Sequence, residues 1–304
     1  MSFPGAMRAF YEVVCAGSIR RASERLNTSP SSVSRQIALL EHEIGTPLFD
    51  REATGMTPTH AGRLVADYAR SVVLDYDSLR SDLNDLKGER RAQIRIAVIE
   101  GMVCEGAIHA VRTFTKRFPK VSFKVTVLAP DQIATSIAAG DYDVGVSFCQ
   151  PPCADIDIVH RIADPVQLAV GANHELATRE FVALHDLERY PFGMLESDRG
   201  LALINYALIE AGLSVQPTLI SNSIEAVRSF IRGGHGVALL SKRAVEREVN
   251  LGCIVSIPVR ATRLNEATVD VLVLKKRRLS NVVRRFVEQI GIELEELSDC
   301  RAAA

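Results

Sequence analysis

Between Ser18 and Ile44 the apolar positions fall at three- and four-residue steps, broken once by a polar tract, which predicts two short helices joined by a tight turn. Ala22 and Leu26 share one face of the first helix, while Val33, Ile37, Leu40 and Ile44 form an apolar stripe on the second. A preceding helix from about Pro4 to Ala16, with Met7, Phe10 and Val14 on one side, supplies a third wall for a small core. The start signals agree. Ser18 and Ser29 stand as N-caps, whose hydroxyl oxygens accept from an orphan N–H of the first turn. Pro30 follows at the first helical position, where its missing N–H costs nothing. Opposite the second stripe lie Ser31, Ser32, Ser34 and Arg35, short donors and one guanidinium. Such a face suits phosphates and base edges in a duplex major groove; the plainer alternative is the solvated side of an ordinary helical bundle.

A long helical pattern follows, with Thr57 as its cap and Pro58 in its first turn. Ala61, Leu64, Val65, Tyr68, Val72, Leu79, Leu83 and Leu86 recur along it, with Arg63, Asp67, Arg70, Asp75 and Asp82 off the seam. That is a coiled-coil-like spacing. A helix so exposed needs a partner, either its own chain or a second copy. Dimerisation through Leu64, Val65, Tyr68, Val72, Leu79 and Leu83 is the expectation, because no neighbouring apolar helix is evident in the sequence. Two-fold pairing implies a pseudo-palindromic duplex site.

Beyond a short charged stretch, Gly88 to Gln93, strands alternate with helices. Ile94–Ile99, Val121–Leu128 and Asp143–Phe148 read as strands, with helices over Val103–Arg117 and Asp131–Ala139. The grammar then repeats. Val166–Val170, Leu219–Ser221 and Val237–Leu240 are strands, and Leu201–Ala211 and Ser223–Arg232 are helices with glycine stops. Val269–Leu274 and a helix from Ser280 to Ile290 return to the first lobe, with crossovers near Val159–Ala163 and Ala261–Ala267. The predicted fold is an N-terminal all-α winged helix-turn-helix (residues 1–62) with a long linker helix (58–88). A two-lobed α/β domain follows, lobe 1 from 92–163 and 266–296 and lobe 2 from 164–265.

Several short motifs stand in order along the chain: Leu40-Glu41, Gly45-Thr46-Pro47-Leu48-Phe49-Asp50-Arg51, and Thr59 with Gly62. Ile94 to Val98, Gly140 to Val144, Glu210 to Leu213 and Gly234 to Leu240 continue the series. In these residues the chain resembles the LysR-type transcriptional regulators over nearly its whole length. The resemblance implies a DNA-binding winged helix-turn-helix and an effector domain shaped like a periplasmic solute-binding protein. It also implies that Arg51 approaches the DNA backbone or minor groove. Self-association as a homodimer or homotetramer follows from it, and contact with RNA polymerase if the protein activates. Three positions depart from the family pattern. Ser29-Pro30-Ser31 lacks a glutamine able to pair bidentately with adenine, Ser23 replaces the second alanine of the preceding helix, and Ser241 replaces a proline after a late strand.

In open α/β sheets ligands lodge beyond the carboxyl ends of the strands. That rule selects Glu100, Gly101 and Met102, then Asp131, Phe148, Glu196, Arg199, Asn222 and Ser223 as effector-binding candidates. Gly101 would let backbone approach a ligand. Arg199 is the one strong cation in the set and would clamp a carboxylate. Glu100, Asp131, Glu196 and Asp198 oppose an anion, so a neutral or amine-bearing effector stays open. Asp131 and Ser223 also suit plain helix caps.

Composition narrows the classes. A chain of 304 residues has room for two or three domains, and no apolar run reaches membrane-span length. The N-terminus lacks an export signal, so a cytoplasmic location is expected, which also argues against a transport-type binding protein. Net charge is −1, so a duplex binder must concentrate positive charge locally, and Arg20, Arg21, Arg25, Arg35 and Arg51 are the means. Six cysteines show no zinc spacing; Cys149 and Cys153 pose a redox-sensing alternative, with buried thiols as the plainer reading. An enzyme on the lobes is not expected, since His109, His160, His174, His185 and His235 are scattered and no phosphate loop accompanies them. No metal or cofactor is expected beyond a small-molecule effector, a metabolite of unstated identity.

Overall fold

The computed structural model describes residues 3–52, 55–86, 92–196 and 198–299, in two compact units. The first opens with α1 (Phe3–Ala16), α2 (Ile19–Arg25) and α3 (Pro30–Ile44), then a hairpin of β1 (Phe49–Glu52) and β2 (Gly55–Pro58), and ends in α4 (His60–Leu86). Met7, Phe10, Ala22, Val33, Ile37, Leu40 and Leu48 are buried together in one core. Full burial of a side chain such as Phe10 or Ile37 stabilises by about 1.5–3 kcal/mol. On α1 it is Val13, fully buried, that faces inward, and Val14 lies half-buried beside it. Ile44 does not complete the stripe: it is 39% exposed in the last turn, just before Gly45 ends α3 in a left-handed conformation at φ +80°.

The ordered motifs acquire physical causes here. Glu41 Oε1 accepts from Leu48 N (2.8 Å) and Phe49 N (3.3 Å), tying the loop after α3 to the helix. Thr59, and not Thr57, caps α4: its hydroxyl accepts from Gly62 N (2.9 Å) and donates to the Pro47 carbonyl (3.0 Å). Thr57 and Pro58 belong to β2, so the helix begins two residues later than the sequence suggested. Gly62 is obligatory because a Cβ there would stand 2.0 Å from the Leu48 carbonyl oxygen.

The second unit holds two sheets. The first, in the order β4-β3-β5-β12-β6, is built from β3 (Gln93–Val98), β4 (Ser122–Val127), β5 (Val144–Phe148), β6 (Ile156–Ala163) and β12 (Thr268–Leu274). Helices α5 (His109–Arg117), α6 (Pro130–Ala138) and α11 (Asn281–Asp299) belong to the same lobe. The stretch Val103–Ile108, expected to be α-helical, is a π-helical turn leading into α5. Phe114 on α5 meets Phe286 on α11 edge-on at 5.3 Å, with Phe118 and Phe123 around them.

The second sheet runs β11-β7-β10-β8-β9, from β7 (Val166–Gly171), β8 (Phe192–Leu195), β9 (Leu219–Ser221), β10 (Val237–Ser241) and β11 (Ile254–Ile257). Its helices are α7 (Asp198–Glu210), α8 (Ile224–Arg232), α9 (Glu246–Asn250) and α10 (Thr262–Asn265). Within each sheet the central strands are parallel, β3 with β4 and β5, β8 with β9 and β10.

Residues Val159–Ala163, expected as a crossover, are the second half of edge strand β6. Arg161 and Ala163 face solvent there while Ile162 faces in, so the strand carries a polar face that blurred its signal. The chain changes lobes one step later, where Asp164 N bonds to the Ala267 carbonyl (2.8 Å). Strands β8 and β11 were not anticipated. Helix α11 extends well past Ile290, to Asp299.

Candidate functional site

Two surfaces concentrate the candidate residues. On the first unit, α2 and α3 form the helix-turn-helix. Ser29 Oγ accepts from Ser32 N at 3.2 Å, as an N-cap should, and lies 3.0 Å from Ser31 Oγ. Pro30 occupies the first turn. Ser18, in contrast, makes no side-chain cap bond. With Val33, Ile37 and Leu40 buried, α3 turns Ser31 and Arg35 fully outward and leaves Ser32 and Ser34 half-buried. Arg20 and Arg21 are exposed on α2, Arg20 only loosely paired with Glu24 at 3.6 Å. Arg25 is directed elsewhere, 3.9 Å from Glu12 on α1. Arg51 stands opposite Met56 in the hairpin that forms the wing; its side chain lies outside the described part of the structure. A row of outward hydroxyls and guanidinia on a rigidly backed helix is able to meet phosphates and base edges together.

The six expected pairing residues on α4 divide. Leu64 (65% exposed), Tyr68 (56%), Leu79 (40%) and Leu83 (48%) remain exposed, and Tyr76 joins them. Val65 and Val72 do not share that stripe. They pack against the core of the first unit, because α4 lies on α1 within the same chain. Helix α4 thus buries one face at home and leaves another apolar face in solvent.

In the second unit a cleft of about 630 Å³ opens at the carboxyl ends of the parallel strands of both sheets. Glu100, Gly101, Met102, Asp131, Phe148, Glu196 and Asn222 line it, together with Ile99, Leu128, Ile204 and Leu240. Ser223 and Arg199 are not part of the wall. Arg199 donates to Gln150 Oε1 (2.5 Å) and Ser147 Oγ (3.4 Å), so its guanidinium bridges to the first lobe instead of facing the cavity. Gln150, two residues beyond Phe148 in the loop after β5, is itself held by Asp270, whose carboxylate accepts from Gln150 N (2.6 Å) and from Arg161 Nε (2.8 Å).

Glu100 has a task that the sequence did not disclose. Its carboxylate crosses to the second lobe and accepts from Ile224 N (3.1 Å) and Ser223 Oγ (3.3 Å), capping α8. Ser223 therefore is not the side-chain cap, and its hydroxyl donates to Glu100. Nor is Asp131 the cap of α6. Ala129 holds that position, and Ala129 N donates to Gln132 Oε1 at 3.3 Å. The room beside Gly101 serves packing between lobes, since a Cβ there would meet Ala244 and Ile224 side chains at 3.2 and 3.3 Å.

Ser241, at the family's proline position, also lines the cleft and hydrogen-bonds the buried Asp164. Burial raises the Asp164 carboxyl to about 6, against the bonds from Arg243 N and Ser241. Cys149 is half-buried and its thiol is pushed up, by burial first and by the nearby Asp270 and Asp164 carboxylates. A redox-sensing thiol needs the opposite shift. Cys153 is exposed, and both are free thiols. Among the described residues no group of three or more His, Cys, Asp and Glu side chains is placed to hold a metal ion, and no helix is long and apolar enough to cross a membrane.

Known proteins share this arrangement. Residues 4–63 match the bacterial regulatory helix-turn-helix protein, lysR family, and residues 87–294 match the LysR substrate binding domain. The chain is similar to a probable RuBisCO transcriptional regulator of Emiliania huxleyi, 24% identical over 281 residues that cover 90% of this chain and 89% of the other. Full-length OxyR from Pseudomonas aeruginosa superposes with a TM-score of 0.73 at 18% identity, covering 97% of this chain and 95% of that one. Full-length CbnR in complex with its target DNA gives 0.56 at 18% identity, covering 97% and 100%. At such identity the structures speak for the fold alone. Because two family models in the expected order account for almost all of its length, the chain belongs to the LysR family of transcriptional regulators, with a DNA-binding head and an effector-binding domain.

Proposed function

We propose that the protein acts in the cytoplasm as a homodimer or homotetramer that presents two α3 helices to a pseudo-palindromic promoter, under control of a small metabolite in the cleft. Ser29, Ser31, Ser32, Ser34 and Arg35 supply contacts from α3, and Arg20, Arg21 and Arg51 add phosphate contacts. One observation carries the reading: a capped, rigidly backed helix with an outward polar face shares the chain with an open cleft lined from two lobes. The solvated apolar face of α4, from Leu64 to Leu83, supports self-pairing. A ligand seated between lobes controls DNA binding only through unequal affinity for two subunit arrangements, and closure of the cleft supplies the inequality. Where the protein activates, the promoter complex would contact RNA polymerase. Nothing in this scheme requires chemistry on the metabolite.

The test is fluorescence anisotropy with a duplex from the protein's own upstream region against a scrambled duplex, at several salt concentrations. The native duplex should bind more tightly, and Arg35→Ala should reduce the logarithmic salt slope by about one, as removal of a single phosphate-neutralising charge requires. Equal affinity for both duplexes, or an affinity unchanged by salt, would sink the proposal.

A further inference from the structure

Resting on the reading of this cleft as the effector site, we infer that the effector is a cation, a small molecule with an ammonium or guanidinium group held between Asp131 and Glu196. The cavity, at about 630 Å³, lies in the range of metabolite-sized sites. Its wall contains three carboxylates, Glu100, Asp131 and Glu196, and no lysine, arginine or histidine among the described residues.

An anion would ordinarily be drawn to the helix N-termini at the carboxyl ends of these strands, where bare N–H groups carry partial positive charge. Here those seats are occupied. Glu100 takes the Ile224 N–H at the start of α8, and Gln132 takes the Ala129 N–H at the start of α6, where Asp131 also stands in the first turn. The cation that could have served an anion, Arg199 at the start of α7, is engaged with Gln150 and Ser147.

Asp131 belongs to the first lobe and Glu196 to the second, and both line the cleft. A cation between them is attracted from both sides. It therefore favours the closed lobes by the differential binding that control of DNA demands. The apolar wall, including Ile99, Leu128 and Ile204, would cover the stem of such a molecule while the charged group stays hydrogen-bonded.

The test uses the full-length protein in isothermal titration calorimetry, with putrescine, agmatine and tyramine as cationic probes and succinate and benzoate as anionic ones. At least one cation should bind, and Asp131→Asn and Glu196→Gln should each weaken it about tenfold or more, as loss of one charge-assisted bond requires. Both positions are exposed, so circular dichroism melts of the unliganded variants should match the parent. Cation binding untouched by either substitution overturns the inference by placing the ligand elsewhere. Binding of succinate or benzoate, lost in Arg199→Ala, overturns the charge class and leaves the cleft as the effector site. Silence from every probe overturns the inference and counts against the cleft reading too.

Discussion

Asp270→Ala should cost the effector-binding unit about 3 kcal/mol, a value built from three bonds in a dry site. The carboxylate is fully buried and accepts from Gln150 N at 2.6 Å, Arg161 Nε at 2.8 Å and Thr268 Oγ1 at 3.2 Å. Alanine removes all three acceptors and strands the Gln150 N–H where water does not reach. Breaking a buried ion pair by deleting one partner typically costs about 3–5 kcal/mol. Arg161 is 49% exposed and keeps solvent on its outer side, which puts the expectation at the low end. Asparagine retains an acceptor for the N–H and forfeits the charge, so Asp270→Asn should lose roughly half as much. Urea unfolding followed by far-ultraviolet circular dichroism reads the difference. With a slope of about 3 kcal/mol per molar urea, the alanine variant should shift the midpoint of the α/β transition by about 1 M. Because Gln150 also receives Arg199, the same substitution should loosen the bridge between lobes. A midpoint displaced by less than about 0.3 M, or equal losses for Ala and Asn, would refute the assignment of Asp270 as the anchor of this network.

The buried Asp164 makes stability depend on pH in an uncommon direction. Its carboxyl is raised to about 6 in the folded chain, so between about pH 4 and 6 native protein holds a proton that the unfolded chain has released; the contribution of this group to stability is fullest below about pH 4 and is lost as pH climbs through 6. The loss approaches about 3 kcal/mol at neutral pH, and thermal melts of Asp164→Asn should show that slope flattened between pH 4 and 6.5, an unaltered slope counting against it. Ser29→Ala removes the oxygen that receives Ser32 N and should destabilise the head by about 1 kcal/mol in thermal denaturation. Leu64→Glu and Tyr68→Glu, at positions already exposed in one chain, should leave the melting temperature of the isolated subunit unchanged while abolishing self-association in sedimentation velocity. Retention of the oligomer would show that α4 pairs through another face.

What could be read directly in the sequence was local. The periodicity of Val33, Ile37 and Leu40, the cap and proline at Ser29 and Pro30, the glycine stop after Ala211 and the alternation of strands and helices follow from backbone chemistry acting over a few residues. The head and the α/β class were legible for that reason, and so were the strand-end loops that line the cleft. Half-polar elements were not: β6 exposes four of its eight residues and buries only Ile156 and Ile162.

Tertiary structure alone decided which partner each polar group takes. Glu100 and Ile224, or Arg199 and Gln150, lie too far apart in sequence for any periodicity to relate them, and only the meeting of two lobes assigns the carboxylate to a helix end and removes the guanidinium from the cavity wall. Likewise the seam on α4 was uniform as a pattern, yet packing on α1 drew Val65 and Val72 into one core and left Leu64 and Tyr68 in water. A helical repeat states that a face is apolar; what covers that face depends on contacts made at a distance along the chain.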